Sequence, residues 1–388
     1  MADIKNFDNT YVANTYARFP LQIVSGKGAI AYDETGKRYI DLGSGIAVNS
    51  FGFADEVWQE AVTAQVKTLQ HTSNLYYTEP CVQLAKQLCE RTGLCRVFFS
   101  NSGAEANECA IKTARRYSFL KYGEGRHVII TLKNSFHGRT ITTLAATGQD
   151  SFHTEFGPFT EGFRYATVGD IDELKAMASA GDVAAIMIET VQGEGGVLEL
   201  PADYIAAIKA ITEEQDILLI VDEVQTGNGR TGKLYSYMHH DLHPDIVSTA
   251  KGLAGGLPLG ATMLGERVKD TLTPGSHGST FGGNPVCCAG ALSVLNRLTD
   301  DFLSDVTKKS DYIKAELEGA PGVVGVSGRG LMLGIETVRP AKEIIADCMA
   351  AGVLVLSAKT KVRLLPPLSI SMEELAEAIA VLKEALAK

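Results

Sequence analysis

Two periodicities alternate along the first two thirds of the chain. Apolar residues recur at helical spacing in four segments, at 55–71, 80–91, 104–121 and 201–215. Between these segments lie short, continuously apolar runs, at 127–132, 184–188, 217–221 and 245–248, as expected for strands that are buried on both faces. This alternation predicts a mainly parallel β-sheet flanked by helices.

The pattern changes after about residue 285. Longer helices are predicted at 286–299, 301–318, 340–351 and 371–387, with short strands near 331–336 and 353–356. Ser371 and Glu374 have the spacing of a capping box, which predicts that the last helix begins after Ser371. We interpret residues 56–285 as a large domain and residues 286–388 as a smaller α+β domain. Residues 1–55, with strand-like sequence at 29–40, are expected to pack on the small domain.

Composition narrows the class of protein. Of the 388 residues 45% are hydrophobic and 21% are charged, which suits a substantial folded core. The 46 acidic and 36 basic residues give a net charge of −10, so nucleic acid and anionic membranes are not expected as partners. The polar sequence after Met1 and the lack of a long apolar stretch favour a cytoplasmic protein. The seven cysteines show no CxxC spacing, so we expect reduced thiols and no metal site.

Two residues indicate possible chemistry. The run at 217–221 delivers Asp222 to the carboxyl edge of the predicted sheet, where ligands of α/β proteins bind. Lys251 follows the run at 245–248 and is closely bracketed by glycines. In such a setting its amine could lose solvation, fall in pKa and become a nucleophile toward an aldehyde. Considered singly, Asp222 would more often cap a loop or pair with an arginine, and Lys251 would be a solvated surface charge.

A third segment, SNSGAEANE at 100–108, predicts a phosphate site. Ser102 and Glu105 have capping-box spacing, so a helix should begin just after Ser102. The first amides of a helix have no internal partners and favour an anion, and Gly103 would let a phosphate approach closely. An ordinary capped helix is the alternative for this segment when it is considered singly.

Six sequence blocks appear in an order that resembles the class III aminotransferases of fold type I, which use pyridoxal 5'-phosphate (PLP). The blocks are SNSGAEANE, SFHGRT, ETVQGEGG, LLIVDEVQTGNGRTG, STAKGL and HGSTFGGNP. The resemblance runs from about Tyr16 to the C-terminus. It implies PLP as cofactor, a large domain with a mainly parallel seven-stranded sheet, a smaller α+β domain, and a homodimer with shared active sites.

The resemblance also implies roles around the cofactor. Lys251 would hold PLP as an imine and move protons during the transfer, and Asp222 would keep the ring nitrogen protonated. Phe136 and Val224 would contact the two ring faces, with Gln225 near the phenolic oxygen. The phosphate would be bound by four residues, the last of them from the neighbouring subunit: Ser102, Gly103, Ala104 and Thr280.

Small-molecule substrates would be bound by arginines. By resemblance, Arg363 would bind the α-carboxylate of glutamate or 2-oxoglutarate, and Arg139 the far carboxylate. Glu194 would neutralise Arg363 when an ω-amino substrate is bound. A structural salt bridge is the alternative for both arginines. The remaining residues assigned to the substrate side are Glu189, Ser279, Asn74, Leu75 and Tyr76.

Three segments, at 49–53, 71–80 and 275–285, are most similar to N-acetylornithine aminotransferases. This similarity implies transfer of the δ-amino group of N2-acetyl-L-ornithine to 2-oxoglutarate in arginine biosynthesis. Related enzymes acting on ornithine, succinylornithine, succinyl-diaminopimelate or 4-aminobutyrate share the catalytic residues and stay open as alternatives. Phe281 favours the acetylated substrate, since ornithine and 4-aminobutyrate enzymes tend to have tyrosine there. The sequence FGFADE at 51–56 departs from the usual LGHxHP pattern and leaves the local turn open.

Two other classes of function are alternatives. An aminomutase or decarboxylase could use the same fold and cofactor, because neither fixes the reaction. The pairing of Arg363 with Glu194 argues against it, since such a pair suits two alternating substrates. A non-catalytic relative is the second alternative, and the presence of both Lys251 and Asp222 argues against that.

Overall fold

The computed structural model describes residues 4–388. Its α-helices are α1 Ile4–Tyr11, α2 Ser44–Ala47, α3 Glu56–Thr68, α4 Glu79–Thr92, α5 Gly103–Tyr122, α6 Ile141–Ala146, α7 Ile171–Ala178, α8 Ala202–Glu214, α9 Pro285–Leu295, α10 Asp300–Leu317, α11 Ala341–Ala350 and α12 Met372–Ala387. Short 3-10 segments lie at Asp150–Phe152, Ser236–His239 and Lys251–Ala254. The strands are β1 Ile23–Lys27, β2 Ile30–Asp33, β3 Arg38–Asp41, β4 Arg96–Ser100, β5 Val128–Leu132, β6 Phe163–Ala166, β7 Val183–Ile188, β8 Val191–Gln192, β9 Leu198–Glu199, β10 Leu218–Asp222, β11 Ile246–Thr249, β12 Gly260–Leu264, β13 Val323–Arg329, β14 Met332–Thr337, β15 Val353–Leu354, β16 Leu356–Ala358 and β17 Lys361–Leu364.

Seven strands form the central sheet in the order β4-β12-β11-β10-β7-β5-β6. Strands β11, β10, β7, β5 and β6 are parallel, whereas β12 runs antiparallel to both of its neighbours. Every residue of β5, β7 and β10 is buried, because helices cover both faces of the sheet. This burial explains why these strands appear in the sequence as unbroken apolar runs, and it confirms the predicted fold class.

The predicted helices are present, with small differences at their ends. Helix α9 ends at Leu295, four residues earlier than expected, because Thr299 already caps α10 by accepting a hydrogen bond from the Phe302 amide. The capping box at the start of α12 is confirmed, since Ser371 and Glu374 bond each other's backbone amides.

Besides the two-stranded pair β8-β9, two four-stranded sheets accompany the central one. One is antiparallel, in the order β13-β14-β17-β16, and carries Arg363 on β17. In the other, the opening strands β1, β2 and β3 are joined by β15, with Ile40 opposite Val353 in a parallel pair. Helix α9 packs against α3 and α4. The domain boundaries after residues 55 and 285 stay predictions.

Residues 4–388 contain no helix with the length and apolar character needed to cross a membrane. The same residues contain no group of three or more His, Cys, Asp or Glu arranged to hold a metal ion. The seven cysteines are all free thiols.

Candidate active site

A cavity of about 440 Å³ opens at the carboxyl edge of the central sheet. Asp222, the last residue of β10, lies opposite Ser248 of the parallel strand β11, and Lys251 begins the 3-10 segment that follows β11. The parallel pairing therefore brings the two predicted catalytic residues to the same edge. The following predicted site residues line the cavity: Ser102, Gly103, Ala104, Phe136, Arg139, Glu189, Asp222, Val224, Gln225 and Lys251.

Lys251 is half-buried and lines the cavity. Burial lowers the pKa of its amine below the usual range, and the carboxylates around the cavity offset this effect only in part. A lysine with a lowered pKa carries more neutral, nucleophilic amine near pH 7. The sequence-based expectation that this amine would lose solvation agrees with its position.

Asp222 is buried and accepts hydrogen bonds from three donors. Its Oδ2 atom lies 2.7 Å from Asn107 Nδ2 and 2.8 Å from His137 Nδ1. Its Oδ1 atom accepts from the Val224 amide at 2.9 Å. Asn107 is itself fixed, because its Oδ1 atom accepts from the Ser248 hydroxyl at 2.5 Å. These donors stabilise the ionised carboxylate and fix its orientation at the cavity wall.

Helix α5 begins directly after Ser102, as predicted, and its N-terminus faces the cavity. The Ser102 hydroxyl oxygen accepts from the Glu105 amide at 3.2 Å. Glu105 returns its bond to the Asn101 amide at 2.8 Å, one residue earlier than in a regular capping box. A Cβ atom at Gly103 would lie 2.6 Å from Val224 Cγ1, so only glycine leaves room for the close packing of these two segments.

Phe136 and Arg139 form the outer wall of the cavity. The Phe136 ring packs edge-on against Phe152, with 5.9 Å between the ring centroids. The Arg139 guanidinium is exposed and lies over the Phe152 ring, 4.2 Å from its centroid. Arg139 has no ion pair with a carboxylate of residues 4–388, so its charge is available to an anionic ligand.

Arg363 and Glu194 form an ion pair behind the cavity. Arg363 is buried, and its Nη1 atom lies 2.6 Å from Glu194 Oε1 and 3.1 Å from Gln225 Oε1. Burial raises the pKa of the Glu194 carboxyl, but the cations of Arg363 and Lys251 and two hydrogen bonds outweigh it and hold the pKa below its usual range. Since Gln225 lines the cavity, this pair lies one side chain away from it.

Glu189 is a second, fully enclosed carboxyl in the cavity wall. It accepts hydrogen bonds from the amides of Phe136 at 2.9 Å and Gly193 at 3.2 Å. Burial and the nearby charge of Asp222 raise the pKa of Glu189 to about 7. This carboxyl therefore exchanges its proton near neutral pH.

Besides Arg363 and Glu194, five predicted residues do not line the cavity of their own chain: Asn74, Leu75, Tyr76, Ser279 and Thr280. They lie on two neighbouring surface loops, which are joined by hydrogen bonds from Asn74 Nδ2 to the carbonyls of Ser279 at 3.0 Å and Gly282 at 2.9 Å. Of these five, Ser279 is in contact with the cavity wall: its hydroxyl oxygen accepts a hydrogen bond at 3.2 Å from Asn101 Nδ2, and Asn101 lines the cavity. The roles of these residues at an active site stay predictions.

The profile of the class-III aminotransferases matches residues 11–386. The chain belongs to this family. It is 51% identical to an acetylornithine aminotransferase of Haemophilus ducreyi, an alignment that covers 99% of this chain and 98% of that protein. It is 44% identical to the acetylornithine aminotransferase of Bacillus subtilis over 96% of this chain and 97% of that one.

Two solved class-III structures are similar over nearly the whole chain. An ornithine aminotransferase from Toxoplasma gondii superposes with a TM-score of 0.95 at 31% identity, covering 99% of this chain and 94% of that one. An N-acetylornithine aminotransferase from Stenotrophomonas maltophilia gives a TM-score of 0.85 at 33% identity and 98% coverage of both chains.

Class-III aminotransferases depend on PLP, and the residues of this cavity fit that cofactor. A half-buried amine of lowered pKa, at Lys251, suits an aldehyde, and a fixed carboxylate, at Asp222, suits a ring nitrogen. The N-terminus of α5 at Gly103 suits a phosphate, because the first amides of a helix have no internal partners.

Sequence reasoning missed Asn107 and His137, although both lie inside quoted blocks. Asn107 is buried on the face of α5 that otherwise carries Ala106, Ala110 and other core residues. A polar residue on the core face of a helix needs a polar partner. The position of Asn107 among apolar residues could therefore have indicated a buried polar contact. His137 gave no comparable signal, because its partner is 85 residues distant in the chain.

Proposed function

We propose that this protein transfers the δ-amino group of N-acetylornithine to 2-oxoglutarate, with PLP as cofactor. The products are N-acetylglutamate 5-semialdehyde and glutamate. The observation that carries this proposal is the joint presence of Lys251, Asp222 and the N-terminus of α5 around one cavity. The choice of the acetylated substrate is supported by the acetylornithine aminotransferases, which resemble the whole chain more closely in sequence than the solved ornithine enzyme does.

Lys251 is the proposed covalent anchor and the group that carries the proton. When bound, PLP accepts the amino group and spreads the negative charge that develops on the substrate carbon. The Lys251 Nζ atom would bind the aldehyde. Once the substrate amine has displaced it, Nζ would take up the proton from the substrate carbon and deliver it to the carbon of the former aldehyde. The lowered pKa of the amine suits both tasks, because a neutral amine is needed to attack and to accept a proton.

Asp222 would hold a proton on the ring nitrogen of the cofactor. Three hydrogen bonds already orient its carboxylate, so little reorganisation is needed when the ring binds. Val224 and Phe136 would contact the two faces of the ring, and Gln225 its phenolic oxygen. Ser102, Gly103 and Ala104 would bind the phosphate.

Arg363 and Arg139 would bind the carboxylates of the two substrates. In the structure Glu194 neutralises Arg363. This neutral pair suits a substrate whose chain carries no charge where it lies beside Arg363. Glutamate or 2-oxoglutarate would displace Glu194 and take its place on Arg363. Arg139 would bind the far carboxylate, since it has no protein carboxylate as partner among residues 4–388. Glu189, at the cavity wall, would contact the substrate side.

A homodimer would complete the active site. Thr280 would bind the cofactor phosphate of the neighbouring subunit, and Ser279, Asn74 and Tyr76 would lie beside the neighbouring substrate. Supporting this proposal, Leu75, Tyr76 and Tyr77 are 89%, 70% and 98% exposed, an unusual display of apolar surface on one loop. We assign the protein to the cytoplasm and to arginine biosynthesis.

Steady-state assays with a panel of amino donors test the substrate. With 2-oxoglutarate as acceptor, the value of kcat/KM should be highest for N-acetylornithine when it is compared with succinylornithine, ornithine, succinyl-diaminopimelate and 4-aminobutyrate. A higher value for any of the others would assign the enzyme to that substrate. A pocket that distinguishes acyl groups contributes only about 1–3 kcal/mol, so measurable activity on some of the others is expected.

A second experiment tests the chemistry apart from the substrate. Borohydride reduction of the protein loaded with PLP, followed by peptide mass spectrometry, should locate the cofactor on Lys251. Turnover of N-acetylornithine without any keto acid should stop after one equivalent. Continued turnover under that condition would indicate an aminomutase or decarboxylase, and a failure to bind PLP would indicate a non-catalytic relative.

A further inference from the structure

The backbone of Lys251 has an unusual conformation. Its φ angle is +46°, in the left-handed region, which a residue with a long side chain rarely adopts. Ala250 before it has an extended φ of −165°, and Lys251 itself begins a tight 3-10 turn that ends at Ala254. The direction of the Lys251 side chain therefore depends on contacts that hold this turn in place.

Asn228 makes those contacts from the neighbouring loop. Its Nδ2 atom donates to the Ala250 carbonyl at 3.0 Å and to the Thr249 hydroxyl at 3.0 Å. The side chain is buried, so both bonds are formed away from water. The side-chain amide of Asn228 thus binds both Thr249, the last residue of β11, and Ala250, the residue directly before Lys251.

Asn228 is well suited to its own position in the chain. Its φ angle is +56°, and asparagine tolerates this left-handed region better than most other residues. Its Cβ atom would lie 3.4 Å from a Cβ atom built at Gly252, so the two loops already pack closely. The same residue therefore satisfies a backbone requirement of its loop and delivers a donor to the next.

We propose that Asn228 is a positioning residue that holds the Lys251 backbone in its left-handed conformation and so aims the amine into the cavity. Asn228 does not line the cavity, so it acts through Ala250 and Lys251 and not by contact with the cofactor. This inference rests on the proposed function of Lys251 as the covalent anchor. It predicts that loss of the Asn228 amide impairs covalent capture of PLP more than it impairs folding.

The test uses Asn228→Gly, which keeps the backbone freedom and removes the amide. The full-length apoprotein is mixed with PLP, and the rate of covalent capture at Lys251 is followed by borohydride trapping and mass spectrometry. We expect capture to slow by about tenfold or more, because a misdirected reacting group loses rate steeply. The pH dependence of capture should also shift, since the amine would sit in a different environment.

Asp216→Gly is the matched control. Asp216 is another side chain at positive φ, with ion pairs to Lys121 and Arg267, but it precedes β10 at the end of that strand remote from Asp222. This variant should lower the thermal unfolding midpoint and keep the capture rate within about twofold of the unchanged protein, because distant sites act independently. If both variants slow capture in proportion to lost stability, Asn228 has only a structural role and the inference is wrong.

Thr249→Val provides a second variant in case Asn228→Gly does not fold. It has nearly the same shape and removes one of the two acceptors of Asn228, so we expect a smaller slowing of capture with the same pH shift. Capture unchanged in this variant and in any folded Asn228→Gly protein would overturn the inference. If the unchanged protein itself does not capture PLP at Lys251, the proposed function fails first, and the two failures are thus distinguished.

Discussion

The Nδ1 atom of His137 lies 2.8 Å from the Oδ2 atom of Asp222, and the whole imidazole is enclosed by protein. Because an ionised carboxylate only accepts hydrogen bonds, this nitrogen must carry the hydrogen. The other ring nitrogen, Nε2, is buried and has no hydrogen-bond partner among the described residues. The bond to Asp222 is therefore the one hydrogen bond that this imidazole makes among the described residues, and it helps to orient that carboxylate.

We predict that His137→Leu lowers kcat by about 10- to 100-fold, since a hydrogen bond to a charged group contributes about 1.5–3 kcal/mol. The affinity for PLP should fall as well, measured by titration of the apoprotein. His137→Asn is the control, because its amide can place an N–H near the position of Nδ1 and should restore part of the loss. Equal losses in both variants would show that packing, and not the hydrogen bond, is what matters.

Replacement of the anchor gives a second prediction. Lys251→Ala should lower kcat by at least about 10²–10⁴-fold, the range that a positioned proton carrier supplies. PLP should still bind without a covalent bond, because the contacts at Asp222 and at the N-terminus of α5 are unchanged. Steady-state assays measure the loss of kcat, and titration of the apoprotein with PLP measures the remaining non-covalent binding. Borohydride treatment of the variant should fix no cofactor. Substantial remaining activity would refute the role of Lys251.

Removal of one arginine should affect the two half-reactions unequally. Arg363→Ala deletes the proposed partner of the glutamate α-carboxylate, so the KM for 2-oxoglutarate should rise by about 10- to 100-fold. Single-turnover release of the semialdehyde from N-acetylornithine should change much less. Glu194→Gln serves as the paired variant, and it should favour 2-oxoglutarate, because Arg363 is then no longer neutralised. Equal damage to both half-reactions by Arg363→Ala would contradict the two-substrate arrangement.

Four strands of the central sheet, β5, β7, β10 and β11, could be predicted from the sequence because they are buried throughout and appear as short apolar runs. Strands β4, β6 and β12 escaped prediction, because β4 and β6 are only partly buried and β12, with the sequence GATML, begins within a glycine-rich segment. The positions of Asp222 and Lys251 at one edge of the sheet could be predicted because each lies at or shortly after the end of a recognisable strand, whereas their proposed roles follow from the resemblance. His137 could not, because its importance depends on a contact between segments distant in the chain.

The pH dependence of stability should report on Glu189. Its pKa rises from an ordinary 4.5 to about 7 in the folded protein, so between these values the folded state binds more protons than the unfolded state. The stability contributed by this proton is fully present below about pH 4.5 and is lost as the pH rises through about 7, by up to about 3 kcal/mol.

In Glu189→Gln the same pH dependence should be missing. The unfolding midpoint of the apoprotein, compared between variant and unchanged protein at pH 5 and pH 8, should move in favour of the variant as the pH rises. Comparing the two pH values cancels the pH-independent cost of the altered hydrogen bonds to Phe136 and Gly193. A difference that stays constant with pH would mean that Glu189 is ionised throughout this range.

The exposed loop at 75–77 gives the last prediction. Leu75 and Tyr77 are 89% and 98% exposed, and large apolar side chains displayed together usually pack against a partner. The double variant Leu75→Asp, Tyr77→Asp should therefore sediment as a monomer in analytical ultracentrifugation, whereas the unchanged protein should sediment as a dimer. Activity should fall with the dimer, because Thr280 is proposed to serve the neighbouring site. Val338→Asp is the control, since Val338 is also exposed, at 74%, but lies beyond β14 in the C-terminal part of the chain. A dimer that survives the double substitution would place the interface elsewhere.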